Sequence, residues 1–71
     1  MKLSFTRHAR IRIIERNVRI SYIKQVLKNP DYKSPTYKNA IRVRGRVGNK
    51  VLEIIYKATI NRIVIITLYY L

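Results

Sequence analysis

The sequence predicts an α+β domain in which two N-terminal helices pack on a small, twisted antiparallel sheet of three or four strands. Apolar residues recur at helical spacing in the N-terminal part, and from Ala40 onward they alternate with basic residues as in a half-buried strand. With 71 residues the chain can enclose one core, so we expect a single basic domain over residues 1–71. Apolar residues make up 48% of the chain, which excludes a disordered basic tail.

The first helix is predicted over residues 7–16, after a segment at 2–5 that alternates as a short strand could. Thr6 is a suitable N-cap, because its hydroxyl can accept a hydrogen bond from a free amide of the first turn. Asn17 can end the helix in the left-handed conformation. Arginines interrupt the apolar face of this helix, so its stripe is ragged.

The second helix is predicted to begin at Ser21, which is a favourable N-cap residue. Ile23 and Val26 follow at helical spacing and form the start of an apolar face. Asn29 and Pro30 are stop signals, so this helix ends just before them.

Residues 31–39 are predicted to form a loop or an irregular edge strand, because turn-forming residues alternate there with tyrosines. A strand with a period of two then runs from Ala40 to Val47, and Gly48-Asn49 is typical of a two-residue hairpin turn. The last strand is predicted over residues 62–70. It is apolar on both faces except at Thr67, so we place it in the centre of the sheet, with the helices covering one face.

The hairpin turn fixes a register for the two strands that it joins. The predicted pairs on one face are Arg46 with Val51, Arg44 with Glu53, and Arg42 with Ile55. The predicted pairs on the other face are Val43 with Ile54 and Ile41 with Tyr56. One face of the hairpin is therefore basic and the other is apolar.

Charge is the strongest functional signal, because 16 lysines and arginines face only 3 acids, a formal net charge of +13. Such a charge favours a polyanionic partner, and we expect nucleic acid, with RNA favoured over DNA. The basic residues are spread over several elements instead of one amphipathic helix, so we expect no membrane partner. No segment has the pattern of a signal peptide or a membrane span, so we expect a cytoplasmic protein.

The side chains available for catalysis are basic, hydroxylic and aromatic. There is no cysteine, and His8 is the only histidine, so we expect neither a metal site nor any other cofactor. RNA cleavage fits this set, because the 2′-hydroxyl of the substrate is the nucleophile and no metal is required. His8, Arg12 and Arg16 share one helix face, where the two guanidinium groups would hold a phosphate beside the imidazole.

A stripe of strand arginines is predicted to contact nucleic acid, since their side chains lie roughly 6 to 7 Å apart, a spacing that suits successive phosphates. The predicted binding residues are Arg42, Arg44, Arg46, Lys57 and Tyr56. Two alternatives stay open. Arg44 could merely pair with Glu53 across the hairpin, and strand tyrosines (Tyr69 and Tyr70 as well as Tyr56) could belong to the core instead of stacking on bases.

The order of these features resembles a widespread family of small domains of unknown function. The resemblance covers nearly the whole chain and is carried by Thr6, His8, Ala9, Arg12 and Arg16, the helix near Ser21, the Asn29-Pro30 stop, the basic hairpin and the terminal VIITLYY strand. That family opens with a Thr-x-His-Ala-x-x-x-Arg pattern and is grouped by architecture with RelE/ParE-like toxins and similar metal-independent ribonuclease folds. Its members commonly carry Gly where this chain has Asn17.

The resemblance implies a helix-helix-sheet fold with a basic cleft, and it nominates His8, Arg12, Arg16 and Thr67 as catalytic residues. On this hypothesis the protein is a toxin-like, metal-independent endoribonuclease, and an acidic antitoxin-like protein is a further partner. The alternative is a non-catalytic RNA- or DNA-binding protein, of a ribosome-associated, chromatin-like or viral kind. A homodimer is compatible with the small core and the apolar last strand.

Overall fold

The computed structural model describes residues 2–71 and confirms the α+β class, with both helices in the N-terminal half. The elements are β1 (Lys2–Phe5), α1 (Arg7–Arg16), α2 (Ile20–Lys28), β2 (Tyr32–Pro35), a 3₁₀ turn (Tyr37–Asn39), β3 (Ile41–Val47), β4 (Lys50–Ala58) and β5 (Arg62–Tyr70). Neither α1 nor α2 has the length or the apolar run that crossing a bilayer needs.

The sheet is larger than predicted and is mixed instead of purely antiparallel. Its five strands lie in the order β1-β5-β4-β3-β2, and β1 pairs in parallel with β5 while all other pairs are antiparallel. The prediction of three or four antiparallel strands was wrong. The two short edge strands, β1 and β2, form only because they pair with the sheet, so their own sequences do not determine them. The last strand, β5, lies inside the sheet between β1 and β4, but the central strand of the five is β4 and not β5 as predicted.

The β3–β4 hairpin has the predicted register at every pair, including Arg44 with Glu53 and Ile41 with Tyr56. Gly48 has a φ of 61°, whereas Asn49 has no positive φ, as a type II′ turn requires. A glycine takes this conformation without steric cost, so the turn chemistry of two residues sets the register of seven residue pairs between β3 and β4.

Helix α1 begins and ends where the sequence predicted. Thr6 is its N-cap, and Asn17, with φ 53° and ψ 49°, ends it in the left-handed conformation. The amide of Asn17 bonds to the carbonyl of Ile14 and that of Val18 to the carbonyl of Ile13, which is a Schellman arrangement.

The predicted N-cap of α2 was wrong. Arg19 occupies the N-cap position without a side-chain hydrogen bond, and Ser21 is the second residue of the helix. The cause lies in the tight end of α1, which buries Val18 in the core and leaves only Arg19 before the backbone turns helical again. Packing of Val18 therefore prevails over the capping preference of serine.

A single apolar core lies between the helices and one face of the sheet. Helix α1 packs on β5 and β1, and α2 packs on β3 and β4. The largest fully buried apolar side chains are Ile23, Val26, Val43, Leu52, Ile54, Ile65 and Leu68. Gly45 lets α2 approach β3 closely, because a Cβ there would lie 2.9 Å from a methyl group of Val26. The opposite face of the sheet has no helix on it within residues 2–71.

Candidate nucleic-acid interface

The uncovered face of the sheet, opposite the helices, gathers most of the predicted binding residues. Side chains alternate along each strand, so those paired with one another share a face. The uncovered face carries Tyr32 and Ser34 of β2, Arg42, Arg44 and Arg46 of β3, Glu53, Ile55 and Lys57 of β4, and Thr67 and Tyr69 of β5. On this face the strands β3 and β4 therefore present four cations and one anion, and Lys2 and Arg62 add two cations at the β1–β5 edge.

One row of this face crosses four strands as Tyr32, Arg44, Glu53 and Tyr69. The Nε atom of Arg44 donates to Oε1 of Glu53 at 2.5 Å, and the Tyr69 hydroxyl donates to Oε2. The ring of Tyr32 lies 5.0 Å from the guanidinium carbon of Arg44, within cation–π range. Aromatic rings thus flank an ion pair on both sides.

Glu53 is the buried acid at the centre of this row, with 1% of its side chain exposed. Burial alone would raise the pKa of Glu53, but hydrogen bonds from Tyr69 and Arg44 outweigh it and the net pKa is lowered. The same hydrogen bonds raise the pKa of Arg44 and of Tyr69. The row therefore holds a carboxylate, a guanidinium and a neutral phenol near pH 7.

The second arginine of the stripe, Arg42, shares the same anion more loosely. Its Nε lies 3.6 Å from Oε2 of Glu53, and its Nη2 donates to the Thr36 hydroxyl at 3.4 Å. The side chains of Arg42 and Arg44 remain 33% and 40% exposed. The pairing of Arg44 with Glu53 is confirmed, and one carboxylate holds two guanidinium groups side by side with part of each facing solvent.

The other two cations that β3 and β4 place on this face, Arg46 and Lys57, have no acidic partner. The side chain of Arg46 is exposed, and only its backbone amide bonds to an acid, Asp31. Lys57 is exposed near the other end of the face and forms no ion pair with any residue between 2 and 71. These two side chains are free to meet an anion.

The tyrosines divide between the two faces. Tyr56 is 7% exposed and lies in the core opposite Ile41, so its side chain is not on the surface with the strand arginines. Tyr70 also lies on the helix side and packs against the core. Tyr69 is on the uncovered face, but its hydroxyl donates a hydrogen bond to Glu53. The alternation of side chains along the hairpin strands indicates the face on which Tyr56 lies, since the predicted register pairs it with the apolar Ile41.

The predicted catalytic residues of α1 are not brought together with Thr67 or with the strand arginines. His8, Arg12 and Arg16 lie on α1, which packs over β5 and β1 on the helix side. The strand arginines lie on β3, two strands away, and point to the opposite face. Thr67 is on the uncovered face, opposite Ile55. No residue between 2 and 71 forms a hydrogen bond or an ion pair with the side chain of His8.

The opening motif has a structural explanation in part. The Thr6 hydroxyl accepts from the amide of Ala9 at 3.1 Å and donates to the carbonyl of Ile66 at 2.7 Å. Ala9 is fully buried, so only a small side chain fits there. Ile13 stands where the full pattern has its arginine, and Arg12 comes one residue earlier.

The fold and this face define a small basic α+β domain with an open cationic sheet surface. The family model of a domain of unknown function, DUF4258, matches residues 5–70, so the chain belongs to this family. No curated protein and no solved structure matches the chain. Within the described residues 2–71, no group of three histidine, cysteine or acidic side chains is placed to hold a metal ion.

Proposed function

We propose that this domain binds RNA with the uncovered face of its sheet, chiefly through the phosphate backbone. The observation that carries the proposal is the concentration of Arg42, Arg44, Arg46 and Lys57 on one face that has a single acid, Glu53, and no covering helix. An open sheet with exposed cations suits an extended strand that lies across it.

The geometry of the arginines supports contact with successive phosphates. Alternate residues of β3 lie roughly 6 to 7 Å apart along the strand. Glu53 fixes the guanidinium groups of Arg42 and Arg44, so these two lose little conformational freedom when a phosphate binds. Arg46 and Lys57 extend the cationic surface on either side of this fixed pair.

The proposal is confined to binding. Cleavage by His8 with the strand arginines would need both to reach one phosphate, and they lie on opposite sides of the sheet. Intact RNA after incubation with the protein in chelator is therefore the expected result. RNA that is cut by the wild type and not by His8→Ala would extend the function to cleavage.

The double substitution R46Q/K57Q tests the proposed face. We expect it to weaken binding of a single-stranded RNA about tenfold in 0.1 M salt, because two phosphate contacts are lost. The slope of log K against log salt should become shallower by about 1.4, since each contact with a single strand contributes about 0.7. Fluorescence anisotropy at four salt concentrations measures both quantities.

The matched control is R10Q/K24Q, which removes the same charge from exposed positions on α1 and α2. We expect this variant to bind RNA nearly as well as the wild type. Equal losses in the two variants would mean that total charge and not the uncovered face determines binding. A DNA strand of the same sequence shows in parallel whether the 2′-hydroxyl matters.

A further inference from the structure

We propose that a pocket on the uncovered face receives one unstacked nucleobase of the bound strand; this inference rests on the proposed function and deepens it. The pocket has a volume of about 350 Å³ and lies between the β2–β3 loop, residues 36–40, and the sheet. Ile55 and Ile66 are its apolar lining residues from the sheet, here called its floor, and Tyr37, Lys38 and Lys57 also line it.

The floor is an apolar spot within a charged face. A β-bulge creates it, because Ile55 pairs with Thr67 while Tyr56 pairs with Ile65, and Ile66 is left as the extra residue of β5. Ile55 and Ile66 are half-buried and line this pocket together. A ligand that covers them needs a flat apolar surface, and a nucleobase has one.

Tyr37 supplies an aromatic surface at the side of the pocket. It is 80% exposed, although exposure of a large aromatic ring to water is unfavourable. The amino group of Lys38 lies 5.6 Å from the centre of this ring. An exposed ring beside a lysine is the combination that single-strand binding proteins use to stack a base and hold its phosphate.

The loop that carries Tyr37 contains two residues in a strained backbone conformation. Lys38 and Asn39 are consecutive left-handed residues, with φ values of 57° and 63°, and lysine gains nothing from this conformation. The loop is closed by the amide of Thr36 on the carbonyl of Ala40 at 2.8 Å. Strain of this kind in a fixed loop is typical of ligand sites.

Charge selects the occupant. The pocket has two lysines at its sides and no acid among its lining residues, and Arg42 is tied to the same loop through Thr36. Each base of a strand is joined through its ribose to a phosphate, so one nucleotide can cover the apolar floor with its base and pair with the surrounding cations through its phosphate. A base inside a duplex is stacked on both faces and cannot enter, which predicts a requirement for single strands.

The test compares two single-stranded RNAs of equal length and charge, one with normal bases and one with abasic sites. We expect the wild type to bind the abasic strand about tenfold more weakly, because stacking on Tyr37 is lost. Y37A should lose about the same factor for the normal strand and no longer distinguish the two strands. Y37F should restore the discrimination, because it keeps the ring.

I14A is the matched control, since Ile14 is also 80% exposed but lies on α1. It should bind both strands as the wild type does. Equal affinity of the wild type for the two strands would overturn the pocket assignment, and this arm depends on no variant. If R46Q/K57Q still weakens binding in that case, the proposed function stands and only the base pocket fails; if it does not, the proposed function fails as well.

Discussion

At the scale of single residues, Glu53 organises the uncovered face. A carboxylate with 1% exposure is stable there only because Arg44, Arg42 and the Tyr69 hydroxyl surround it. Without this anion, the like charges of the two guanidinium groups would repel each other, and the side chains would move apart. Glu53 therefore contributes to the site by positioning cations and not by touching the ligand.

The lowered pKa of Glu53 predicts that the free energy of unfolding decreases at acid pH, and we call this decrease the acid limb. Its pKa is lower in the folded chain than in the unfolded one, so the unfolded chain binds more protons at acid pH. Its stabilising contribution is complete above the unfolded pKa of about 4.3 and is lost as the pH falls from there through the folded pKa. We expect E53Q to flatten this limb in urea unfolding between pH 7 and pH 3.

At pH 7, E53Q should also lower the free energy of unfolding by about 1 kcal/mol, a modest figure because both arginines are a third or more exposed and can rehydrate. E15Q removes an exposed acid of α1 and serves as the control for net charge. An acid limb of equal steepness in E53Q and the wild type would show that Glu53 does not cause it.

At the scale of elements, the sequence predicted the features that depend on neighbouring residues and did not predict the strand pairing that joins distant parts of the chain. Thr6, Asn17 and Gly48 act on their immediate neighbours, so the ends of α1 and the β3–β4 hairpin were predictable from sequence. The parallel pairing of β1 with β5 joins residues sixty positions apart, and no local pattern encodes it. At the start of α2 the local preference was misleading. Ser21 is a favourable N-cap residue, but the burial of Val18 places the N-cap at Arg19.

The candidate site divides in the same way. Strict alternation along β3 placed the arginines on one face correctly, because the period of a strand leaves only two choices. Periodicity also placed His8 and Arg12 on one face of α1, but it could not say on which side of the sheet that helix lies. The pocket beside Tyr37 depends on a bulge in β5 and a loop from β2, and so it required the tertiary structure.

Thr6 offers a test of how α1 is fixed to the sheet. T6V removes both the N-cap bond to Ala9 and the bond to the carbonyl of Ile66. We expect a loss of about 1–2 kcal/mol in the free energy of unfolding, measured by urea titration. T6S keeps the hydroxyl and should lose less than half as much. Similar losses in the two variants would show that the methyl group, which T6S removes and T6V keeps, contributes as much as the two hydroxyl bonds, and would contradict the expected dominance of those bonds.

At the scale of the whole molecule, charge opposes folding and favours binding. The domain measures 32 × 25 × 22 Å and carries a net charge of +13. In 0.01 M salt the Debye length is about 30 Å, so cations on all sides repel one another, whereas in 0.15 M salt it is about 8 Å and only neighbours interact. The core must therefore withstand a repulsion that salt or a polyanion relieves.

This opposition predicts that the binding face lowers the stability of the free protein. In 0.01 M salt without RNA, R46Q/K57Q should melt a few degrees above the wild type, since about 1 kcal/mol corresponds to roughly 4–8 °C for a domain of this size. R10Q/K24Q should gain a similar amount, and both gains should shrink in 0.15 M salt. Saturating RNA should then raise the Tm of the wild type and R10Q/K24Q more than that of R46Q/K57Q, because only the last has lost affinity for the ligand that stabilises the folded state. Equal RNA-induced shifts in all three proteins, followed by differential scanning fluorimetry, would contradict the assignment of binding to the uncovered face.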